Sequence, residues 1–174
     1  MKRLTLWLPL LIFAVFVATV VAGLTGGKDE TVPSAMIGKP VPDFALPAAL
    51  PGRASVGSET FTGGPRLLNF FGSWCAPCIA EAPQLLALRQ RGIPIEGIAV
   101  RDRADAIADF LSRHGDPFAG IGSDTASQVQ FALGSSGVPE TFVIDGAGII
   151  RHQHIGPILE EDVAEIVAAW EAAR

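Results

Sequence analysis

Leu67-Leu68-Asn69-Phe70-Phe71-Gly72-Ser73-Trp74-Cys75-Ala76-Pro77-Cys78 is the stretch on which the reading of this chain turns. A short apolar run closed by a glycine has the form of a buried central strand. Two thiols follow it at once, and they are the only cysteines in the chain. Cysteines separated by two residues can close a small disulfide and reopen it. As a structural staple the pair would do little, because stabilising bridges tie together distant parts of a domain. A zinc site needs two further soft ligands, and His114, His152 and His154 lie far off at unsuitable spacing. Covalent haem needs histidine directly after the second cysteine, and that residue is Ile79. Redox exchange is the favoured reading, with a Cys75–Cys78 disulfide as the centre and no metal or other cofactor expected.

The thiols fall between a strand end and a helix start. There, unpaired backbone N–H groups and the positive end of the helix dipole favour a thiolate at Cys75. Cys78 lies about one turn further in and is expected to be shielded, so Cys75 reads as the attacking nucleophile and Cys78 as the resolving thiol. Pro77 occupies the first helical turn, where a missing N–H costs little. Pro83 is expected to kink the helix.

Outward from this motif, the N-terminus reads Met1-Lys2-Arg3 and then an uncharged apolar run from Leu4 to Leu24. About 21 residues rising ~1.5 Å each would cover roughly 31 Å, enough to cross a bilayer core. Lys2 and Arg3 would keep their end cytoplasmic and send the rest across. A cleaved signal peptide ending near Ala22 is the alternative, but such a segment has an apolar core of about 7–15 residues followed by a polar stretch. An uncleaved anchor over residues 1–25 is expected, then a polar tether over 26–37 and one domain over 38–174. The formal charge is −5 for the whole chain, and more negative once Lys2 and Arg3 are set aside. With no basic cluster, nucleic acid is not an expected partner.

Gly38 to Leu46 holds two prolines in an extended stretch suited to a sheet edge. The residues up to Gly64 read as irregular, with at most a short strand pair. After the Leu67–Phe71 strand the pattern predicts a helix over Ile79–Arg91, a strand over Ile93–Val100 and an amphipathic helix over Ala104–His114. It continues with a short strand over Phe118–Ile121 and a helix over Thr125–Leu133. Strands over Glu140–Asp145 and Ile149–Ile155 follow, joined by Gly146-Ala147-Gly148 as a hairpin, and a helix over Glu160–Ala173 closes the chain. This order describes an α/β sandwich with a mixed sheet. Gly137-Val138-Pro139-Glu140-Thr141 precedes the fourth strand, and its proline reads either as a plain turn residue or as a cis-proline facing the disulfide.

These stretches together resemble the CcmG/DsbE family of cytochrome c biogenesis, membrane-anchored proteins of thioredoxin fold. The resemblance rests on Leu68 to Cys78 with Trp74 before the thiols, on Asn69 and Glu81 around them, and on Gly137 to Asp145; it spans most of the chain from Gly38 onward. It implies a thioredoxin-like sandwich with a central mixed sheet, and a helix–strand insertion between Ala104 and Ile121. It also implies a cis Val138–Pro139 bond, and it places Glu81 and Glu140 near the thiols, where a carboxylate could move the proton of Cys78. Without the family, Glu81 would read as a solvated helix residue. Thioredoxin itself has a buried aspartate where this chain has Asn69.

By the same resemblance the protein is a protein-disulfide reductase, held by one span in the bacterial inner membrane and facing the periplasm. Its partners would be apocytochrome c or its thiol chaperone, and a transmembrane electron donor of the DsbD/CcdA type. The alternatives are a broader envelope reductase and, from another class, a copper-delivery protein. The chain departs from the family pattern at Ser135 and Ser136, where apolar or aromatic residues are common, and at Val138, where alanine is frequent. The three histidines read as surface residues.

Overall fold

The computed structural model describes residues 4–25 and 35–174; in the first stretch the side chains of residues 7–21 alone are described. The chain divides into two compact units, one on either side of residues 33–34. In the first, α1 (Leu4–Thr25) is a helix without a single charged residue. Among the described residues, no helix is long and apolar enough to cross a membrane. Most of the expected tether, residues 26–34, lies outside the described residues.

The second unit is organised by β3 (Arg66–Phe71), which pairs on both sides. Parallel β4 (Ile95–Val100) lies along one side with Leu67 opposite Ile95 and Phe71 opposite Ala99. Antiparallel β6 (Glu140–Ile144) lies along the other, with Asn69 opposite Thr141 and Phe70 opposite Glu140. Two more strands, β5 (Ile121–Asp124) and β7 (Ile150–Ile155), complete a five-stranded mixed sheet of order β5-β4-β3-β6-β7. The alternation of a strand sends Leu67, Asn69 and Phe71 to one face and Leu68 and Phe70 to the other. Both faces are covered, which is why β3 after Arg66 reads as an unbroken apolar run apart from Asn69.

Over the first face lie α2 (Ala76–Gln90), α3 (Ala104–His114) and α5 (Val163–Ala172), through Leu85, Leu88, Ile107, Phe110 and Ile166. The opposite face packs on Val56, Phe61, Val129 and Leu133. Those residues come from a small β1–β2 ladder (Ala45–Leu46 with Val56–Gly57), the 3-10 turn directly after it (Ser58–Phe61), and α4 (Gln128–Ala132) with the residue that follows it. The extended lead-in hydrogen-bonds to the start of β7, with Gly38 N–H on the Ile150 carbonyl at 2.8 Å and Val41 N–H on that of Gly148 at 2.9 Å. Met36 already packs on the core.

Several element boundaries differ from those expected. α2 begins at Ala76 rather than Ile79, because Cys75 itself caps the first turn and Pro77 fits there. It runs through Pro83 as one helix. Pro83 lies on the exposed side, where the carbonyl it leaves unbonded meets water. The strand expected over Phe118–Ile121 forms at Ile121–Asp124. Phe118 is spent on the core, its ring stacked 4.7 Å from that of Phe71, and β4 still offers Ala99 and Val100 as partners to Ser123 and Asp124.

α4 starts at Gln128 rather than Thr125. The Asp124 carboxylate reaches forward and accepts the N–H groups of Gln128, Val129 and Gln130 at 2.8–3.0 Å, while Ser127 turns through the left-handed region at φ 58°. The final helix is preceded by a 3-10 turn over Glu160–Asp162, with the Asp162 carboxylate on Leu159 N–H.

The three histidines are half-buried rather than surface residues. His114 packs its ring 5.1 Å from that of Phe110, and His152 and His154 are covered on their side of β7 by α5 and the turn before it. His152 lies 3.7 Å from Glu165, and His154 lies 3.7 Å from Asp162. Burial holds His152 below its usual pKa against the pull of Glu165, and neighbouring His154 adds to the depression.

Candidate active site

Cys75 and Cys78 are joined in a disulfide, with Cα atoms 5.3 Å apart. Cys75 is the N-cap of α2, and its Sγ accepts the N–H of Cys78 at 3.2 Å. A helix N-terminus presents unpaired N–H groups and a partial positive charge, so a Cys75 thiolate would sit where backbone dipoles stabilise it. Cys75 is 4% exposed and Cys78 1%; the oxidised pair is thus shielded at both sulfurs, and not at Cys78 alone. Trp74, by contrast, is 59% exposed and lies across Gly72. A Cβ on Gly72 would stand 2.7 Å from the indole, so glycine at this position is what lets the ring lie down.

Beneath the thiols, Glu81 follows Cys78 by three residues on the buried side of α2. It is fully buried, which overturns its reading as a solvated helix residue. One carboxylate oxygen accepts Asn69 Nδ2 at 3.0 Å, and the other accepts the N–H of Ile158 at 3.1 Å. Asn69 Nδ2 also donates to Thr141 Oγ1 at 3.0 Å, its directly opposed residue on β6, while Asn69 Oδ1 has no hydrogen-bond partner among the described residues. Burial raises the Glu81 pKa to about 7 against the two hydrogen bonds, which pull it down. A carboxyl group with that pKa can give or take a proton near neutrality.

Val138–Pro139 is cis. Val138 packs against both core clusters. Glu140 is fully buried too, but strand alternation sets it on the face opposite Thr141 and Asn69. Its carboxylate is held by Ser135 Oγ, by Ser136 N–H at 3.0 Å and by Gln153 Nε2. The two serines that depart from the family pattern are therefore the donors that tie the loop before Pro139 to this carboxylate.

Sequence reasoning missed Asp102. Its oxygens accept Ser73 N–H at 2.6 Å, Ser73 Oγ at 2.9 Å and Arg103 N–H at 2.8 Å. Next to it the Trp74 indole N–H donates to the Val100 carbonyl at 3.2 Å. An isolated aspartate in a turn gives no signal of this in the sequence, because the contact depends on two strands ending side by side.

A family model described as Redoxin matches residues 36–169. The thiol:disulfide interchange protein DsbE homolog of Paracoccus denitrificans is 42% identical over 161 residues, which cover 89% of this chain and 86% of that protein. The chain belongs to the DsbE family of thiol:disulfide interchange proteins. DsbE of Escherichia coli is 38% identical, with 98% of this chain and 96% of that one covered. Among solved structures, a Chlorobium tepidum protein assigned as DsbE is similar with a TM-score of 0.64 and 27% identity, over 79% of this chain and 96% of that one. As a DsbE-family member with a CxxC pair at the start of a helix in a thioredoxin-like fold, the protein is a thiol–disulfide oxidoreductase.

Proposed function

We propose that this protein is an envelope reductase that keeps the haem-binding cysteines of apocytochrome c, or of the chaperone that carries them, in the thiol state. The observation that carries the reductase direction is the buried Glu81 beneath Cys78, with its pKa near 7. A second negative charge in that pocket opposes a Cys78 thiolate by like-charge repulsion. Disfavouring the thiolate disfavours the reduced state relative to the disulfide, which makes the dithiol a willing electron donor. The cytochrome c part of the reading follows from the family resemblance.

In the working cycle, a transmembrane dithiol donor of the DsbD/CcdA type reduces Cys75–Cys78. The Cys75 thiolate then attacks one sulfur of a partner disulfide; that S–S bond breaks, a mixed disulfide forms and a partner thiolate leaves. Glu81 accepts the Cys78 proton, directly or through one water. The Cys78 thiolate attacks Cys75 Sγ, the second partner thiolate leaves, and the protein ends oxidised. The uncharged helix over Leu4–Thr25 supports a single-pass anchor with the domain outside the cytoplasm, since Lys2 and Arg3 would stay inside.

Equilibration with glutathione buffers tests the direction. A potential at or below about −200 mV is expected, and one near the about −120 mV of a strong oxidant would overturn the reductase role. Deleting the gene should remove c-type cytochromes and leave other envelope disulfides unchanged. Widespread disulfide errors would point to a reductase of broad specificity instead.

A further inference from the structure

β3 and β4 run parallel and end together, with Phe71 opposite Ala99. The chain leaves β3 through Gly72-Ser73-Trp74 into Cys75, and leaves β4 through Arg101-Asp102-Arg103 into α3. Arg101 turns sharply, in the left-handed region at φ 48°. This is a costly conformation for a residue with a Cβ, and other groups hold it there. Arg101 N–H donates to the Asp124 carbonyl at 3.1 Å, and its Nε donates to Ser127 Oγ at 2.7 Å. The turn brings the Asp102 carboxylate onto Ser73.

Asp102 grips Ser73 twice, through the backbone N–H and through the hydroxyl. The neighbouring guanidiniums are engaged elsewhere, Arg101 with Ser127 and Arg103 with Asp105. The carboxylate therefore spends its acceptors on backbone and hydroxyl donors. The next residue, Trp74, is tied to the same turn through Val100, and Cys75 N–H closes back onto the Gly72 carbonyl at 3.1 Å. Residues 72–75 thus form a short bridge whose side-chain anchors among the described residues are these bonds, and its far end sets the N-cap geometry of Cys75.

We infer that Asp102 is a positioning residue for thiol–disulfide exchange. It holds the strand-to-helix turn so that Cys75 Sγ stays aligned with the N–H groups of α2. The two bonds fix the Ser73 backbone and side chain together, and among the described residues no other side chain bonds to Ser73. Without Asp102 the turn loosens, and the Cys75 thiolate loses part of the dipole stabilisation it would receive.

The test compares Asp102→Ala and Asp102→Asn in the full-length protein. Asparagine keeps one acceptor for Ser73 N–H and can donate to the Ser73 hydroxyl, while removing the charge and the acceptor of the Arg103 N–H. Three properties are read: the pH profile of Cys75 alkylation in the reduced protein, the exchange rate with a protein disulfide, and the unfolding midpoint. For Asp102→Ala the alkylation profile should move to higher pH and exchange should fall about tenfold, the effect of losing one strong hydrogen bond on the state it supports. Asp102→Asn should restore both properties. A simple loss of negative charge would move the profile the other way, to lower pH, in both variants. A native profile in Asp102→Ala, a shift to lower pH, or an asparagine variant as impaired as the alanine one would each overturn the inference. So would a lowered unfolding midpoint with both thiol properties unchanged.

Discussion

Replacing Glu81 with glutamine should change how stability depends on pH, in a direction the structure sets. The carboxyl group is fully buried, and its pKa is raised from 4.5 to about 7. Between those values the folded protein holds a proton that the unfolded chain has released, so stability falls as pH rises through this window. The contribution is fully present below pH 4.5 and is lost as pH rises through 7. At ~1.4 kcal/mol per pKa unit, the whole displacement amounts to about 3 kcal/mol, of which about 2 to 3 kcal/mol falls between pH 5 and 8.

Glutamine cannot ionise and should remove this slope. Its Oε1 can accept the Ile158 N–H, and its Nε2 can donate to Asn69, whose Oδ1 is otherwise unpartnered. The assay is urea unfolding of the oxidised protein at several pH values, with the disulfide intact so that no thiol titrates. Relative to Glu81→Gln, the midpoint of the native protein should drop by about 1 to 2 M between pH 5 and 8, given slopes of ~1–3 kcal/mol per M for small domains. Burial of His152 gives a slope of opposite sign, because its lowered pKa makes stability rise with pH up to about 6.5. That slope is common to both proteins and cancels in the comparison. Parallel curves for native and Glu81→Gln protein would refute the reasoning, since the buried carboxyl would then carry no pH-linked cost.

Three further outcomes are expected. Cys75→Ser should abolish exchange, whereas Cys78→Ser should still attack and accumulate mixed disulfides; faster alkylation of Cys78 than of Cys75 in the reduced protein would reverse the two roles. Gly72→Ala should push the Trp74 indole off its seat and break its bond to Val100, with a loss of about 1–3 kcal/mol as for other overpacked sites. Tryptophan fluorescence and thermal unfolding would report the two effects together. Glu140→Ala should free the Ser135–Ser136 loop and slow exchange with a protein disulfide more than with a small disulfide reagent, and equal losses would show that the loop takes no part in docking.

The chemistry of this protein is written locally. Two thiols at the end of an apolar strand, a proline in the first turn and a tryptophan before them are contiguous, and contiguous residues need no knowledge of the fold to be read together. The central strand and the order of helices and strands were legible for the same reason, since period and punctuation are properties of neighbouring residues. Element ends were less so. Asp124 delays α4 by capping it from four to six residues upstream, a choice among local contacts that the pattern does not settle, and Phe118 packs on Phe71 in the core, a long-range contact that outweighs a local preference.

The fate of each acidic residue was decided only by the tertiary structure. Glu81 and Glu140 are both carboxylates beside residues of the site, one three residues after Cys78 and the other directly after Pro139. The side of α2 on which Glu81 falls places one beneath the thiols, and strand alternation turns the other to the far face, where it holds a loop. Asp102 carried no local signal at all. Its role exists because parallel pairing brings the ends of β3 and β4 together, and a carboxylate's partners depend on where the backbone delivers it.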